Sequence, residues 1–244
     1  MRQFGLIGHP LAHSFSPAYF AEKFRKEGIT DARYDAFELP GIAAFPALVA
    51  GHPDLCGLNV TIPHKETVMP FLDEIHPVAA EIGSVNTILF QNGRTVGHNT
   101  DLNGISETLK QHLEWYMMDA LVLGTGGSAK TVAYFLKKIG IHTRFVTRRP
   151  EGENQLAYED LTADIIQKHK LIINCSPVGM FPHVNEKPDI PYEGITDMHL
   201  LFDLVYNPPL TGFLQEAQDR DAGTVNGAKM LRVQAEASWK LWNT

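Results

Sequence analysis

The stretch LVLGTGGSAKT, Leu121 to Thr131, accepts two nucleotide-binding patterns. Gly124, Lys130 and Thr131 sit where a P-loop, G-x-x-x-x-G-K-[ST], places its first glycine, its lysine and its hydroxyl. Gly124, Gly126 and Ala129 also fill G-x-G-x-x-[G/A], the turn that sets a dinucleotide pyrophosphate on a helix N-terminus. The P-loop requires glycine where Ala129 stands, although HLLFD, ending at Asp203, matches the apolar strand and metal-binding aspartate it also needs. The dinucleotide pattern fits throughout, with an apolar run before Gly124, a small residue at 129 for close packing, and a helical pattern running to Gly140. It makes a second prediction at the end of the next strand, where an acidic residue holds the ribose of NAD and an arginine accepts the 2′-phosphate of NADP. HTRFV is followed there by Thr147, Arg148 and Arg149, with no carboxylate. The residues therefore favour NADP over NAD, and both over ATP.

The flanking sequence repeats the same architecture. FGLIG, ARYDAFEL and LCGLNVT read as strands separated by the helical patterns PAYFAEKFRKEG and IAAFPALVA, and Asn92-Gly93 predicts a hairpin between SVNTILF and RTVGHN. After an amphipathic helix near 102–114, strand and helix alternate again, with LIINC and LLFDLV as later strands. This pattern predicts an α/β fold of two α/β lobes with a cleft between them. With 44% hydrophobic and 20% charged residues the chain is globular, and a formal charge of −7 without a dense Lys/Arg run argues against nucleic acid and anionic membranes as partners. The N-terminal apolar run is broken by Gly8 and Pro10, too short for a signal peptide or a membrane span, which points to the cytoplasm. Two unrelated cysteines, Cys56 and Cys175, make a disulfide framework unexpected. His9 and His13 have i, i+4 spacing, but Pro10 stands between them and no third ligand is evident, so no metal site is expected.

Three polar stretches mark the first lobe. HSFSP presents Ser14 and Ser16 ahead of Pro17, read as a first helical residue with Ser16 as an alternative helix cap. NVTIPHK delivers Asn59, Thr61 and Lys65 to a strand end, and VNT with GHNTD brings Asn86, Thr87, Asn99, Thr100 and Asp101, the last equally readable as a cap. A ketone reduced by hydride becomes an alkoxide, which an ammonium such as that of Lys65 would stabilise and protonate.

Taken together, GHPLAHSFSP, NVTIPHK, GSVNT, GHNTD, LGTGGSAK, VTRR, NCSPVGM, DLVYNPPLT and NGAKMLRVQAEASWKLW resemble, in order from residue 8 to residue 242, the motifs of the shikimate dehydrogenase family. The resemblance implies a substrate-binding and catalytic lobe over 1–101, completed by the C-terminal helix 228–244, and a Rossmann-type NADP-binding lobe over 102–227. It implies reversible, NADP-dependent reduction of 3-dehydroshikimate to shikimate in aromatic amino acid biosynthesis. Ser14 and Ser16 would bind the substrate carboxylate, and Thr61, Asn86 and Gln234 the ring hydroxyls. Tyr206 would help close the site. Lys65 and Asp101 would form the proton-handling catalytic pair, and the residues alone leave open which of them carries the proton. Gly124, Gly126, Gly127 and Ala129 would face the pyrophosphate; Thr147, Arg148 and Arg149 the adenosine 2′-phosphate; Gly227 and Met230 the nicotinamide. A small-molecule substrate and a homodimer complete the expectation. The stretch from 150 to 170 is short for the family, so the helix after the second strand of the cofactor lobe is expected to be reduced or replaced by loop. Relatives that also accept quinate share most of these motifs.

Three other readings use parts of the same residues. A P-loop phosphotransferase conflicts with Ala129, and a non-catalytic NADP-sensing module would have no need of Ser14, Ser16, Lys65 and Asp101. Two-lobed dehydrogenases of amino acids or folates would share the glycine turn and lack the paired-serine loop.

Overall fold

A computed structural model describes residues 1–12 and 14–244; His13 lies outside the described residues. The chain forms two compact units, Met1–Asp101 with Gln234–Thr244, and Leu102–Val233. The first contains β1 (Arg2–Gly8), α1 (Phe15–Glu27), β2 (Ala32–Glu38), α2 (Phe45–Gly51), β3 (Leu55–Val60), α3 (His64–Thr67), β4 (Glu74–Ile75), α4 (Pro77–Ile82), β5 (Thr87–Gln91) and β6 (Arg94–His98). Its sheet has the order β2-β1-β3-β5-β6-β4, with β2, β1 and β3 parallel and β5 antiparallel to both its neighbours. The unbroken apolar run of β1 suits a strand covered on both faces. One face packs Ile7, Leu58, Val60, Val85 and Ile88; the other packs Phe4, Phe20, Phe24 and Trp242. Asn92 and Gly93 both take positive φ, 54° and 75°, as a two-residue hairpin turn of matching twist requires.

Helix α1 begins two residues earlier than the sequence suggests. Ser14, extended at φ −72° and ψ 138°, occupies the N-cap position, so Ser16 lies inside the helix and Pro17 is its third residue. Proline is tolerated there because the first-turn N–H groups have no intrahelical acceptor.

The second unit continues from α5 (Asp101–Leu109) through β7 (Asp119–Leu123), α6 (Gly127–Lys138), β8 (His142–Thr147), β9 (Gln155–Ala157), α7 (Ala163–Lys168), β10 (Leu171–Asn174), β11 (Leu200–Asp203), α8 (Gly212–Gln218), β12 (Gly223–Asn226) and the start of α9 (Ala228–Trp242). All its strands are parallel, in the order β12-β11-β10-β7-β8-β9. Counted along this unit, the order is that of the doubly wound dinucleotide fold, reversing direction between β7 and β10. No helix lies between β8 and β9, where residues 148–154 are loop in place of the expected helix, and α7 is only six residues long. Gly140, at φ 82°, follows the end of α6. Among the described residues no helix is long and apolar enough to cross a membrane, and no group of three His, Cys, Asp or Glu side chains could hold a metal ion.

Candidate functional site

Beyond β3 the chain is pinned at each step. Thr61 N–H donates to the Ile7 carbonyl at 2.9 Å, His64 N–H to the Thr61 carbonyl at 2.9 Å, and the Lys65 carbonyl accepts from Val85 N–H at 2.8 Å. His64 is buried, with Nε2 2.7 Å from the Leu39 carbonyl oxygen. Gly8 makes room for this turn, because a Cβ there would collide with the Thr61 methyl. On this fixed backbone the Lys65 ammonium donates to Asp101 Oδ2 at 2.7 Å, with the two side chains 14% and 5% exposed. Asn86 Nδ2 donates to the other oxygen, Asp101 Oδ1, at 2.9 Å and reaches Gln234 Oε1 at 3.4 Å. Asp101 is the first residue of α5 rather than its cap, and a negative charge is favourable at a helix N-terminus. A half-buried ammonium bonded to a buried carboxylate can donate a proton to a developing alkoxide with little water left to displace.

The first unit therefore gathers Lys65, Asp101, Asn86 and Gln234 in direct contact. Ser16 is 7% exposed and its hydroxyl bonds the phenol of Tyr34, which burial pushes above its ordinary pKa. Ser14 is half-buried and its side chain makes no cap bond. Thr61 is half-buried at the strand end. Tyr206 belongs to the second unit, where burial raises its phenol pKa.

In the second unit the glycine turn stands at the switch point of the sheet. Gly124 has φ +109°, a conformation closed to ordinary side chains, and its N–H donates to the Val146 carbonyl at 2.8 Å, tying the turn to the end of β8. A Cβ on Gly124 would come within 3.6 Å of the Cys175 backbone, which follows β10. Gly126 is the N-cap of α6, has no side-chain cap bond, and a Cβ built on it meets only open space, the room a pyrophosphate needs. Gly127 opens the helix. Ala129 is fully buried in the core, so its side chain packs α6 onto the sheet and contact with an anion is left to the glycines. Exposed Arg148 and Arg149 follow Thr147 at the end of β8, beside the turn. These features fit a dinucleotide bearing a 2′-phosphate.

They do not fit a nucleoside triphosphate with magnesium. The Thr131 hydroxyl is buried and donates to the Gly127 carbonyl at 2.8 Å. Asp203 is fully buried and accepts from Thr211 Oγ1, Val205 N–H and Asn174 Nδ2 at 2.6, 3.0 and 3.0 Å. Gly227 lies against Leu204, whose carbonyl a Cβ would strike. Met230 is buried in the core of the second unit, over Gly104.

An NADP(+) shikimate dehydrogenase of Desulforamulus reducens is 34% identical to this chain over 98% of it and 88% of its own length. The chain belongs to the shikimate dehydrogenase family. The model of the shikimate dehydrogenase substrate binding domain matches residues 6–88, which include Lys65 and Asn86. A second shikimate dehydrogenase (NADP(+)), from Methanococcus maripaludis, is 36% identical over 98% of this chain and 90% of its own. The crystal structure of the Thermus thermophilus shikimate 5-dehydrogenase, in complex with NADP(H) and shikimate, superposes with a TM-score of 0.87 at 32% identity, covering 99% of this chain and 93% of that one.

Within this shikimate dehydrogenase fold, two polar residues escape a reading of motifs: half-buried Tyr34 and buried Ser238, which bond to Asn59 and, with Thr87 and Thr100, stand behind Asn86. The available signal was Ser238, a hydroxyl on the apolar stripe that Ala235 and Trp242 share on α9.

Proposed function

We propose that this chain catalyses the reversible, NADPH-dependent reduction of 3-dehydroshikimate to shikimate, a step in aromatic amino acid biosynthesis. The observation that carries the reading is the pair of half-buried Lys65 and buried Asp101, bonded to Asn86, in the unit that includes the family's substrate binding domain. Residues 1–101, completed from the C-terminal helix, hold substrate and perform proton transfer, and the unit beginning at Leu102 holds NADP. When bound, NADPH supplies the hydride. Gly124, Gly126 and Gly127 hold its pyrophosphate, Thr147, Arg148 and Arg149 its 2′-phosphate, and Gly227 with the adjoining backbone its nicotinamide side. Lys65 Nζ donates the proton to the new alkoxide oxygen in reduction, and in oxidation the pair takes it back. Asp101 keeps Lys65 aimed. Ser14 and Ser16 bind the carboxylate; Thr61, Asn86 and Gln234 bind the ring hydroxyls. Ser16 would exchange its Tyr34 bond for a substrate oxygen. Tyr206 is a further substrate-binding residue.

The proposal includes a cytoplasmic homodimer with neither nucleic acid nor membrane as partner, checked by sedimentation of the purified protein. The reaction is tested by the absorbance of reduced nicotinamide on mixing the protein with shikimate and NADP, then with NAD and with quinate in turn. Rapid reduction with shikimate and NADP is the expected result. Absence of turnover from folded protein that binds NADP would overturn it in favour of a sensing module.

A further inference from the structure

Behind Asn86 lies a buried polar cluster with no part in the chemistry described above. Thr87 Oγ1 stands 2.9 Å from both Thr100 Oγ1 and Ser238 Oγ, which are 3.0 Å from each other, a closed triangle of hydroxyls. Its members come from β5, from the residue preceding α5, and from α9, and none is more than 5% exposed. Asn59 on β3 keys the triangle. Its Nδ2 donates to Ser238 Oγ at 2.9 Å and Thr87 Oγ1 at 3.2 Å, while its Oδ1 accepts from Tyr34 at 2.8 Å.

These contacts set the proton directions. With the lone pairs of Thr87 and Ser238 facing Asn59, Ser238 donates to the Gln234 carbonyl at 3.0 Å. Thr87 and Thr100 donate to Asn86 Oδ1 at 3.1 and 3.2 Å. That same oxygen accepts Thr100 N–H at 2.6 Å. The Thr100 N–H on this oxygen and the Asp101 carboxylate on the amide nitrogen permit a single orientation of the Asn86 amide, and the two hydroxyls hold it there. Its NH2 must then face Asp101 Oδ1, as it does at 2.9 Å. The inverted amide would set N–H against the Thr100 N–H and its oxygen against a carboxylate, and in a buried site each unmet group is costly.

We propose that Asn59, Thr87, Thr100 and Ser238 are positioning residues: they lock the Asn86 amide, and through it hold one oxygen of Asp101 so that the other is presented to Lys65. The inference rests on Lys65 and Asp101 being the proton-handling pair. The cluster acts through Asn86, which is also assigned to a ring hydroxyl, so its loss lowers turnover and raises KM for shikimate together.

The test replaces both threonines, Thr87→Val with Thr100→Val, which exchanges hydroxyls for methyls and keeps the Thr100 N–H. Turnover should fall roughly tenfold to a hundredfold, as for a small misplacement of a catalytic group, with KM for shikimate raised as well because Asn86 also serves the substrate. The NADP dissociation constant, read by fluorescence titration without substrate, should remain within about twofold of the parent's. Thr87→Ser with Thr100→Ser restores the hydroxyls and should return most of the turnover. Parental turnover in the valine pair, or equal losses in the valine and serine pairs, would overturn the inference. If the valine pair does not fold, Thr100→Val and Ser238→Ala taken singly carry the same comparison against Thr100→Ser. Asp101→Asn, assayed in parallel, separates the two levels. If it turns over like the parent, both the pair's role and the positioning inference fall; if it collapses while the valine pair does not, only the positioning inference falls.

Discussion

Asp203 is fully buried, and burial pushes its carboxyl from 3.8 up to about 6, against three hydrogen bonds that hold it down. The sign of the effect on stability follows. The folded state keeps the proton to about pH 6, while the unfolded chain releases it near 3.8, so this group's contribution is full below that value and is lost as pH rises through about 6. A shift of about two units corresponds to about 3 kcal/mol between pH 4 and pH 7, at roughly 1.4 kcal/mol per unit. Asp203→Asn removes that slope. It still accepts from Val205 N–H and loses the acceptor for Thr211, at about 1 kcal/mol. The variant should be less stable than the parent by about 1 kcal/mol near pH 4 and more stable by about 2 kcal/mol near pH 7. Urea unfolding followed by circular dichroism across that range reads the difference directly. A gap between variant and parent that stays constant with pH would refute the assignment of a buried, reluctant carboxylate.

Lys65→Met should abolish most turnover with NADP affinity retained, and should destabilise the first unit by about 3 kcal/mol because Asp101 is left buried with Asn86 alone. Adding Asp101→Leu should recover much of that stability, which a denaturant cycle measures; strictly additive losses would contradict it. Arg148→Ala should weaken NADP far more than NAD in equilibrium titrations, and equal losses would remove Arg148 from the 2′-phosphate. Gly57 has no room for a Cβ because the Trp242 indole occupies its face, so Gly57→Ala should cost about 1–3 kcal/mol in urea and disturb the Trp242 fluorescence.

The strands bearing continuous apolar runs, the Asn92-Gly93 hairpin and the Gly140 helix stop were legible because each is written in local patterns of burial and φ. The short strands β9 and β12 were not, since three or four residues carry no periodicity, and their places at the sheet edges depend on crossovers of distant segments. Pro17 misled for a related reason: proline is acceptable anywhere in the first turn, so it marks a helix start only to within that turn. Asp203 matched a metal-binding pattern by sequence, and only the fold shows it closed in by Asn174, Val205 and Thr211. Lys65, Asp101 and Asn86 could be singled out by motif, whereas the distances among them needed the fold. The hydroxyl triangle joins residues up to 151 positions apart, and no local pattern carries such a contact.

Helix α9 gives its residues from Gln234 onward to the first unit, across an interval that contains the whole of the second. On the ribosome, residues 1–101 emerge long before Ser238 and Trp242, and until those arrive β1 and β3 lack the indole that stacks on Phe4 and bonds the Ile88 carbonyl at 3.0 Å. The segment translated first is thus the one whose core is completed last, and the nascent chain carries an open aromatic face on Phe4, Phe20 and Phe24 throughout the synthesis of the second unit.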